Sequence, residues 1–297
     1  MGKVSINEKV LIIGGNGMLG HKLLSVLRPE FDVFVTVRDF FKKYEEFDLF
    51  SRDRTFDNLE LMRAEPLCSV VRELDPAVVI NAAGIIKNVP ASSNAVETIT
   101  INSILPHRLA MLSNDLGFRL ISIGTDCVFN GAKGQYREDE TPDARDMYGK
   151  SKALGEVTDI NCLTLRTSII GRELGTRRGL LEWFLGNRNG SVDGYANAIF
   201  SGFPTVVFSQ IIKDILLNHA DLVGLYHVSS DPISKLELLE LINVRFATNV
   251  NIKNCEDHQI NRSLNSDRFR QKTGFQPLPW PEMIEILAVD SAGYETT

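Results

Sequence analysis

The sequence predicts an α/β protein with a doubly wound, mostly parallel sheet and a small mixed α/β lobe. Three observations carry that prediction. Short apolar runs alternate with helical patterns from Lys9 to Arg166, the signature of strand–helix–strand units. A glycine turn joins the first run to the first helical pattern. Beyond Arg166 the alternation weakens, which marks the lobe. At 297 residues, 43% hydrophobic and 24% charged, the chain is long enough to bury a full core.

Taken in order, Lys9 to Ile13 reads as a buried strand and Leu19 to Leu27 as a helix stopped by Pro29. Between them lies Gly14-Gly15-Asn16-Gly17-Met18-Leu19-Gly20. Small residues there let backbone approach a pyrophosphate, and free N–H groups at a helix start favour its charge. Gly14, Asn16, Gly17, Met18 and Leu19 are therefore candidate cofactor contacts in a Rossmann-type turn.

Phe31 to Val37 is the next strand, ending at Arg38. An acidic residue at this place would bind a ribose 2′-hydroxyl, whereas Arg38, with Lys42 and Lys43 nearby, suits a 2′-phosphate. The expected cofactor is NADPH, with NADH as the alternative. Residues 39–60 read as a loop with a short strand near Phe56. Asp57 and Asn58 there either reach an adenine edge or serve a turn. Leu67 to Leu74 is a helix and Ala77 to Asn81 a strand, followed by Ala82-Ala83-Gly84. Three small residues at a strand end let a flat cofactor lie on the backbone; close helix packing explains them equally. Ala95 to Leu116 is helical, with Pro106 as a kink or boundary.

Phe118 to Ile123 feeds the stretch that carries the chemistry. Thr125 sits just past the strand, and Tyr148-Gly149-Lys150-Ser151-Lys152 opens a helix expected to run to about Thr158. Residues four apart share a helix face, so Tyr148 and Lys152 are neighbours. Ketone reduction needs a proton donor within reach of the developing alkoxide. A free phenol is a weak acid, and an adjacent ammonium such as Lys152 is expected to lower its pKa. Thr125 would donate a second hydrogen bond to the same oxygen. Asp126 either contacts a sugar hydroxyl or serves a turn, and Cys127 reads as a packed thiol.

After a strand at Cys162 to Arg166, Gly179 to Leu185 is helical and residues 186–203 are rich in Gly and Asn. Thr205 to Asn218 is a helix and Gly224 to Val228 a strand. Lys235 to Phe246 is a helix capped by Ser234. The tail contains Arg262, Arg268, Arg270 and Pro-Leu-Pro-Trp-Pro.

Composition excludes several classes. A net charge of −6 without a dense basic block argues against nucleic acid. Cys68, Cys127, Cys162 and Cys255 are far apart, so no zinc site or disulfide framework is expected. The N-terminal apolar run is too short for a secretory leader, and no run approaches a bilayer span. A cytoplasmic protein with no membrane partner and no metal is expected.

These motifs together resemble the extended short-chain dehydrogenase/reductase superfamily and, within it, the dTDP-4-dehydrorhamnose reductase (RmlD-like) family. The matching segments are the glycine turn, Val79-Ile80-Asn81-Ala82-Ala83-Gly84, Ser122 through Gly131, Tyr148 through Lys152, Leu165-Arg166-Thr167-Ser168, Gly224 through Val228, and Arg262-Ser263-Leu264. The resemblance implies a nicotinamide-dependent reductase of a nucleotide-linked 4-keto-6-deoxyhexose, serving polysaccharide synthesis, with Thr125, Tyr148 and Lys152 as the catalytic set. It implies that Lys152 also holds the nicotinamide ribose and that Asn102 and His107 flank the cofactor. Substrate contacts are expected from Thr125, Asp126, Cys127, Tyr148, Trp183, Gly202 and Arg262. Residues 1–166, with part of 203–230, would form the NAD(P)-binding domain; 167–202 and 231–297 would form the sugar-nucleotide lobe. A homodimer is left open.

Two departures bear on the sugar. The rhamnose enzymes usually carry Tyr where Cys127 stands, and Gly124 precedes Thr125 where a Ser is more usual. A UDP-linked 2-acetamido-6-deoxy sugar is the alternative substrate. A non-catalytic NADP-binding regulatory subunit of the same fold is the rival from another class, and the intact Thr125/Tyr148/Lys152 set argues against it.

Overall fold

A computed structural model describes residues 7–86 and 94–294. The N-terminal leader reading falls partly on residues 1–6, outside that range.

The first half builds the sheet. In chain order it comprises β1 (Lys9–Ile13), α1 (Gly20–Leu27), β2 (Asp32–Thr36), β3 (Thr55–Phe56), α2 (Ala64–Leu74), β4 (Val78–Asn81), α3 (Ala95–Ile99), α4 (Leu105–Leu116), β5 (Arg119–Ile123), α5 (Met147–Leu154) and β6 (Cys162–Arg166). The second half contributes β7 (Ile169–Ile170), α6 (Leu180–Leu185), β8 (Ser191–Tyr195), β9 (Ala198–Phe200), β10 (Phe203–Pro204), α7 (Thr205–Asn218) and β11 (Gly224–His227). It ends with β12 (Ile233–Ser234), α8 (Lys235–Arg245), β13 (Asn251–Cys255), β14 (Ile260–Asn261), α9 (Asp267–Thr273) and α10 (Trp280–Ser291).

Seven strands form the central sheet in the order β11-β6-β5-β4-β1-β2-β3, and every pairing is parallel. Its inner strands β1 and β4 are almost wholly apolar and buried, because both faces of the sheet are covered. Alternation divides them: Val10, Ile12, Val78, Ile80 and Ile121 join one core layer. Leu11, Ile13, Val79 and Leu120 join the other, against α2 and α4. The first layer continues without a break into Phe200, Ile233, Trp280 and Met283 of the second half.

The long helix expected from Ala95 to Leu116 is interrupted. A π-helical turn, Thr100–Ile104, separates α3 from α4, and Pro106 occupies the first turn of α4, where its missing N–H costs nothing. The helix after Lys152 is shorter than expected and stops at Leu154. Gly155 follows, and a β-carbon there would lie 1.9 Å from the Asn102 carbonyl oxygen, so the two segments meet backbone to backbone.

Candidate active site

Parallel strands deliver their C-terminal ends to one edge, and open α/β sheets bind ligands there. The strand order places the ends of β4, β1, β2 and β3 side by side, with β5 on the other flank. The residues that follow those ends are the ones the sequence singled out.

Gly14 adopts φ +84°, and a β-carbon on it would press on the Ala83 backbone at 3.1 Å. The glycine turn and Ala82-Ala83-Gly84 therefore form one continuous small-residue surface. Gly20 is equally constrained, because a β-carbon there would lie 2.0 Å from the Gly14 carbonyl oxygen. The turn closes through Gly17 N–H to Gly14 O at 3.0 Å and Gly15 N–H to Thr36 O at 2.8 Å. Among the described residues no group accepts from the N–H of Met18 or Leu19. Two donors thus stand free at the start of α1, which fits the phosphates of a dinucleotide. Leu19 itself is core, so only its backbone is available.

Arg38 follows β2 and is exposed. Lys43 is paired with Asp39 at 2.5 Å, and Arg38 acts on the same carboxylate. The Asp57 carboxylate accepts from Phe41 N–H at 2.7 Å and pairs with Arg52 at 2.8 Å. It ties the 39–60 loop together, the turn role the sequence left open. Asn58 stands beside it with φ +52°.

Asn102, on the π turn, is 1% exposed. It accepts from Ile85 N–H at 2.9 Å and donates to Ile85 O at 3.0 Å and to Ser151 Oγ at 3.1 Å. One amide thus fixes the loop after β4 to the helix carrying Tyr148 and Lys152. His107 reinforces this from α4 through Leu154 O, at 2.7 Å. Ser103 and Ser151 had no signal of their own in the sequence, yet Ser103 Oγ donates to Ser151 O at 2.7 Å.

Thr125 is buried two residues beyond β5, where its hydroxyl accepts from Cys127 N–H at 3.2 Å and caps a short 3₁₀ turn, Asp126–Val128. The same hydroxyl faces Tyr148 and donates weakly to Asp126 at 3.3 Å. Asp146 caps α5 by accepting from Gly149 N–H, which orients the helix start. Lys152 Nζ donates to Ile123 O at 2.7 Å, so α5 is bolted to the end of β5.

The electrostatics correct one expectation. Although Lys152 shares its helix face, the Tyr148 phenol is not brought below its ordinary value. Burial, reinforced by Cys127, Asp126 and Asp146, raises its pKa well above the ordinary value, against a hydrogen bond from Thr125. Burial lowers Lys152 to about 8. It also raises the Asp126 carboxyl, and pushes the Cys127 thiol up to about 12, aided by Asp126.

The lobe residues separate into those that reach the site and one that does not. Arg262 donates to Phe129 O at 2.8 Å and acts on both Asp126 and Cys127. Trp183 is 43% exposed on α6, whose N-terminal Gly179 rests on Met18 of the glycine turn. Gly202 is buried: a β-carbon on it would lie 2.0 Å from Ser168 O, so it packs the lobe and offers no surface to a sugar. Lys235 escaped the sequence reading. It acts on Asp126 and Cys127 from the start of α8. A cation in the first turn of a capped helix opposes the helix dipole, and that was the available signal.

Among the described residues no three His, Cys, Asp or Glu side chains gather to hold a metal, and no helix is long and apolar enough to cross a membrane.

Comparison with known proteins agrees with the fold. The chain is 24% identical to a dTDP-4-dehydrorhamnose reductase of Aggregatibacter actinomycetemcomitans, over 93% of this chain and 97% of that one. The crystal structure of dTDP-4-dehydrorhamnose reductase from Bacillus anthracis in complex with NADP superposes with a TM-score of 0.79 at 23% identity, covering 96% of this chain and 100% of that one. The Bordetella bronchiseptica enzyme WbmG, in complex with NAD and UDP, gives 0.77 at 18% identity, covering 98% and 97%. The model of the RmlD substrate binding domain family matches residues 8–285, and the chain belongs to that family.

Proposed function

We propose that the protein is a nicotinamide-dependent reductase of a nucleotide-linked 4-keto-6-deoxyhexose, with NADPH as the preferred donor and NADH as the alternative. The observation that carries this reading is the convergence, on the sheet edge bearing the glycine turn, of the Thr125 hydroxyl, the Tyr148 phenol and the Lys152 ammonium. The similarity to a reductase that binds NADP supports the reaction class and the donor.

The free N–H groups of Met18 and Leu19, the surface formed by Gly14 and Ala83, and Arg38 would hold the dinucleotide. When bound, it supplies a hydride to the carbonyl carbon. Tyr148 releases its hydroxyl proton to the carbonyl oxygen as that oxygen gains charge. An alkoxide is a stronger base than a phenolate, so a phenol that burial keeps protonated still donates. Thr125 steadies the same oxygen with a second hydrogen bond. Lys152, protonated at neutral pH with a pKa of about 8, offsets the phenolate left behind.

Residues 1–166, with part of 203–230, serve the cofactor in this reading; 167–202 and 231–297 serve the sugar nucleotide through Trp183 and Arg262. Asp126 and Cys127 line the sugar side of the acid. The relative bound to UDP keeps a uridine carrier beside dTDP.

The test is a panel of dTDP-, UDP- and GDP-linked 4-keto sugars, with NADPH oxidation followed optically. Turnover of a 4-keto-6-deoxyhexose is expected. NADPH binding with no turnover across the panel would favour a regulatory subunit.

A further inference from the structure

We propose that Tyr294, in the segment after α10, is a positioning residue for the dinucleotide: through His21 it fixes the Gly17–Met18 peptide so that the Met18 N–H faces the phosphates. The role rests on the glycine turn as the dinucleotide site and is independent of the sugar.

One carbonyl is the pivot. Gly17 O accepts twice from His21, from the backbone N–H at 3.2 Å and from ring Nδ1 at 2.8 Å. A carbonyl has no proton to give, so Nδ1 carries the hydrogen of the ring. Nε2 is then bare, and the Tyr294 hydroxyl that meets it donates to it. The imidazole is 1% exposed and burial holds it neutral, so one ring hydrogen serves both contacts. Gly17 C=O and Met18 N–H belong to one planar trans peptide and point in opposite directions. Holding the carbonyl toward α1 therefore turns the Met18 N–H outward, where it stands free among the described residues.

The hydroxyl is itself held in place. Lys22 Nζ lies 5.1 Å and Arg172 Cζ 5.0 Å from the centre of the Tyr294 ring, and the His21 ring meets it at 75°, 5.7 Å between centres. Lys22 is tied to Asp290 of α10 at 2.6 Å, and Arg172 to Glu182 of α6 at 2.7 Å. Burial and Asp290 raise the phenol's pKa, so it keeps the proton it donates. Without the hydroxyl, the imidazole is free to shift its hydrogen to Nε2, and Gly17 O then faces a bare nitrogen. A tyrosine that merely packed would need its ring and not its hydroxyl.

The experiment measures NADPH affinity by calorimetry on the full chain, beside the urea midpoint, for wild type, Tyr294→Phe, His21→Leu and the double variant. Tyr294→Phe keeps the ring and removes the hydroxyl alone; it should weaken NADPH by about threefold to tenfold. His21→Leu should weaken it at least as much. Adding Tyr294→Phe to His21→Leu should change the affinity no further, because the effect passes through the imidazole. A Tyr294→Phe variant that lowers the midpoint but weakens NADPH by less than about threefold is a packing variant, and overturns the proposal. So does a double variant in which the two losses add. Should the His21 variants fail to fold, the affinity of Tyr294→Phe alone decides. Wild type that binds neither NADPH nor NADH overturns the dinucleotide site and the proposal with it, whereas NADPH binding indifferent to Tyr294→Phe leaves the site standing and removes Tyr294 from it.

Discussion

Lys152 keeps its proton at neutral pH, but burial has brought its pKa down to about 8, so its charge is lost within reach of ordinary assay conditions. If that charge offsets the Tyr148 phenolate, kcat should fall as pH rises through about 8, and Lys152→Met should abolish that limb along with most activity. A profile that stays flat from about pH 7 to 9 would remove Lys152 from the role. Cys127 makes an opposite prediction. With its thiol at about 12 it is a thiol, not a thiolate, at neutral pH, and mass spectrometry should find it unmodified by iodoacetamide. Rapid alkylation there would contradict the half-buried site beside Asp126. Tyr148 and Lys152 were legible in the sequence because helical spacing alone makes them neighbours. Their pKa values were not, since these depend on Asp126, Cys127 and Asp146 and on burial supplied by the whole cleft. Lys235 was silent for the same reason: it follows β12, whose partner β9 lies some thirty residues earlier, and it acts on Asp126 from over a hundred residues away.

Strands and helices with strong periodicity appear where the sequence put them. Lys9–Ile13, Cys162–Arg166 and Thr205–Asn218 match at both ends. The Gly/Asn-rich stretch 186–203 concealed β8, β9 and β10, because their partners are distant: β8 pairs with β13, and β9 with β12 and β14. Local composition cannot encode such pairings. The π turn was hidden for a different reason; Pro106 announced a boundary but not the extra residue that turns Asn102 inward. Asn102→Ala would strand the Ile85 and Ser151 groups it binds. It should cost about 2–3 kcal/mol, seen as a lower urea midpoint, together with weaker NADPH binding. An unchanged midpoint would mean that the loop after β4 does not depend on that amide. Gly20→Ala should be comparably damaging, because the Gly14 carbonyl must move to admit a methyl group.

Across the whole molecule, one continuous core layer joins the dinucleotide sheet to the lobe, so the edge carrying Thr125 and the segments carrying Arg262 and Lys235 are held in fixed relation. Two buried imidazoles set an acid limit on that structure. His21 bridges Gly17 O and the Tyr294 hydroxyl, and burial lowers it to about 4. His227 stands between Tyr136 O and Arg166, and burial with Arg166 lowers it to about 3. Both are neutral when folded. The unfolded chain takes up protons near 6.5 that the folded chain refuses, so stability should fall as pH drops below about 6.5 and keep falling toward those values. Melting temperature against pH checks this, and a flat curve down to about pH 4 would contradict it. The fold class and the site's outline were readable because glycines, small residues and Thr125 all follow strand ends, whereas Gly202 was misread because packing and binding glycines look alike in a sequence. The central claim is that Tyr148 gives its proton to a nucleotide-linked keto sugar. Tyr148→Phe, assayed for NADPH oxidation with the preferred substrate beside calorimetric NADPH binding, tests it most directly. Binding within about twofold of wild type and turnover lowered by roughly a hundredfold or more is the expected result; turnover at the wild-type rate would contradict it.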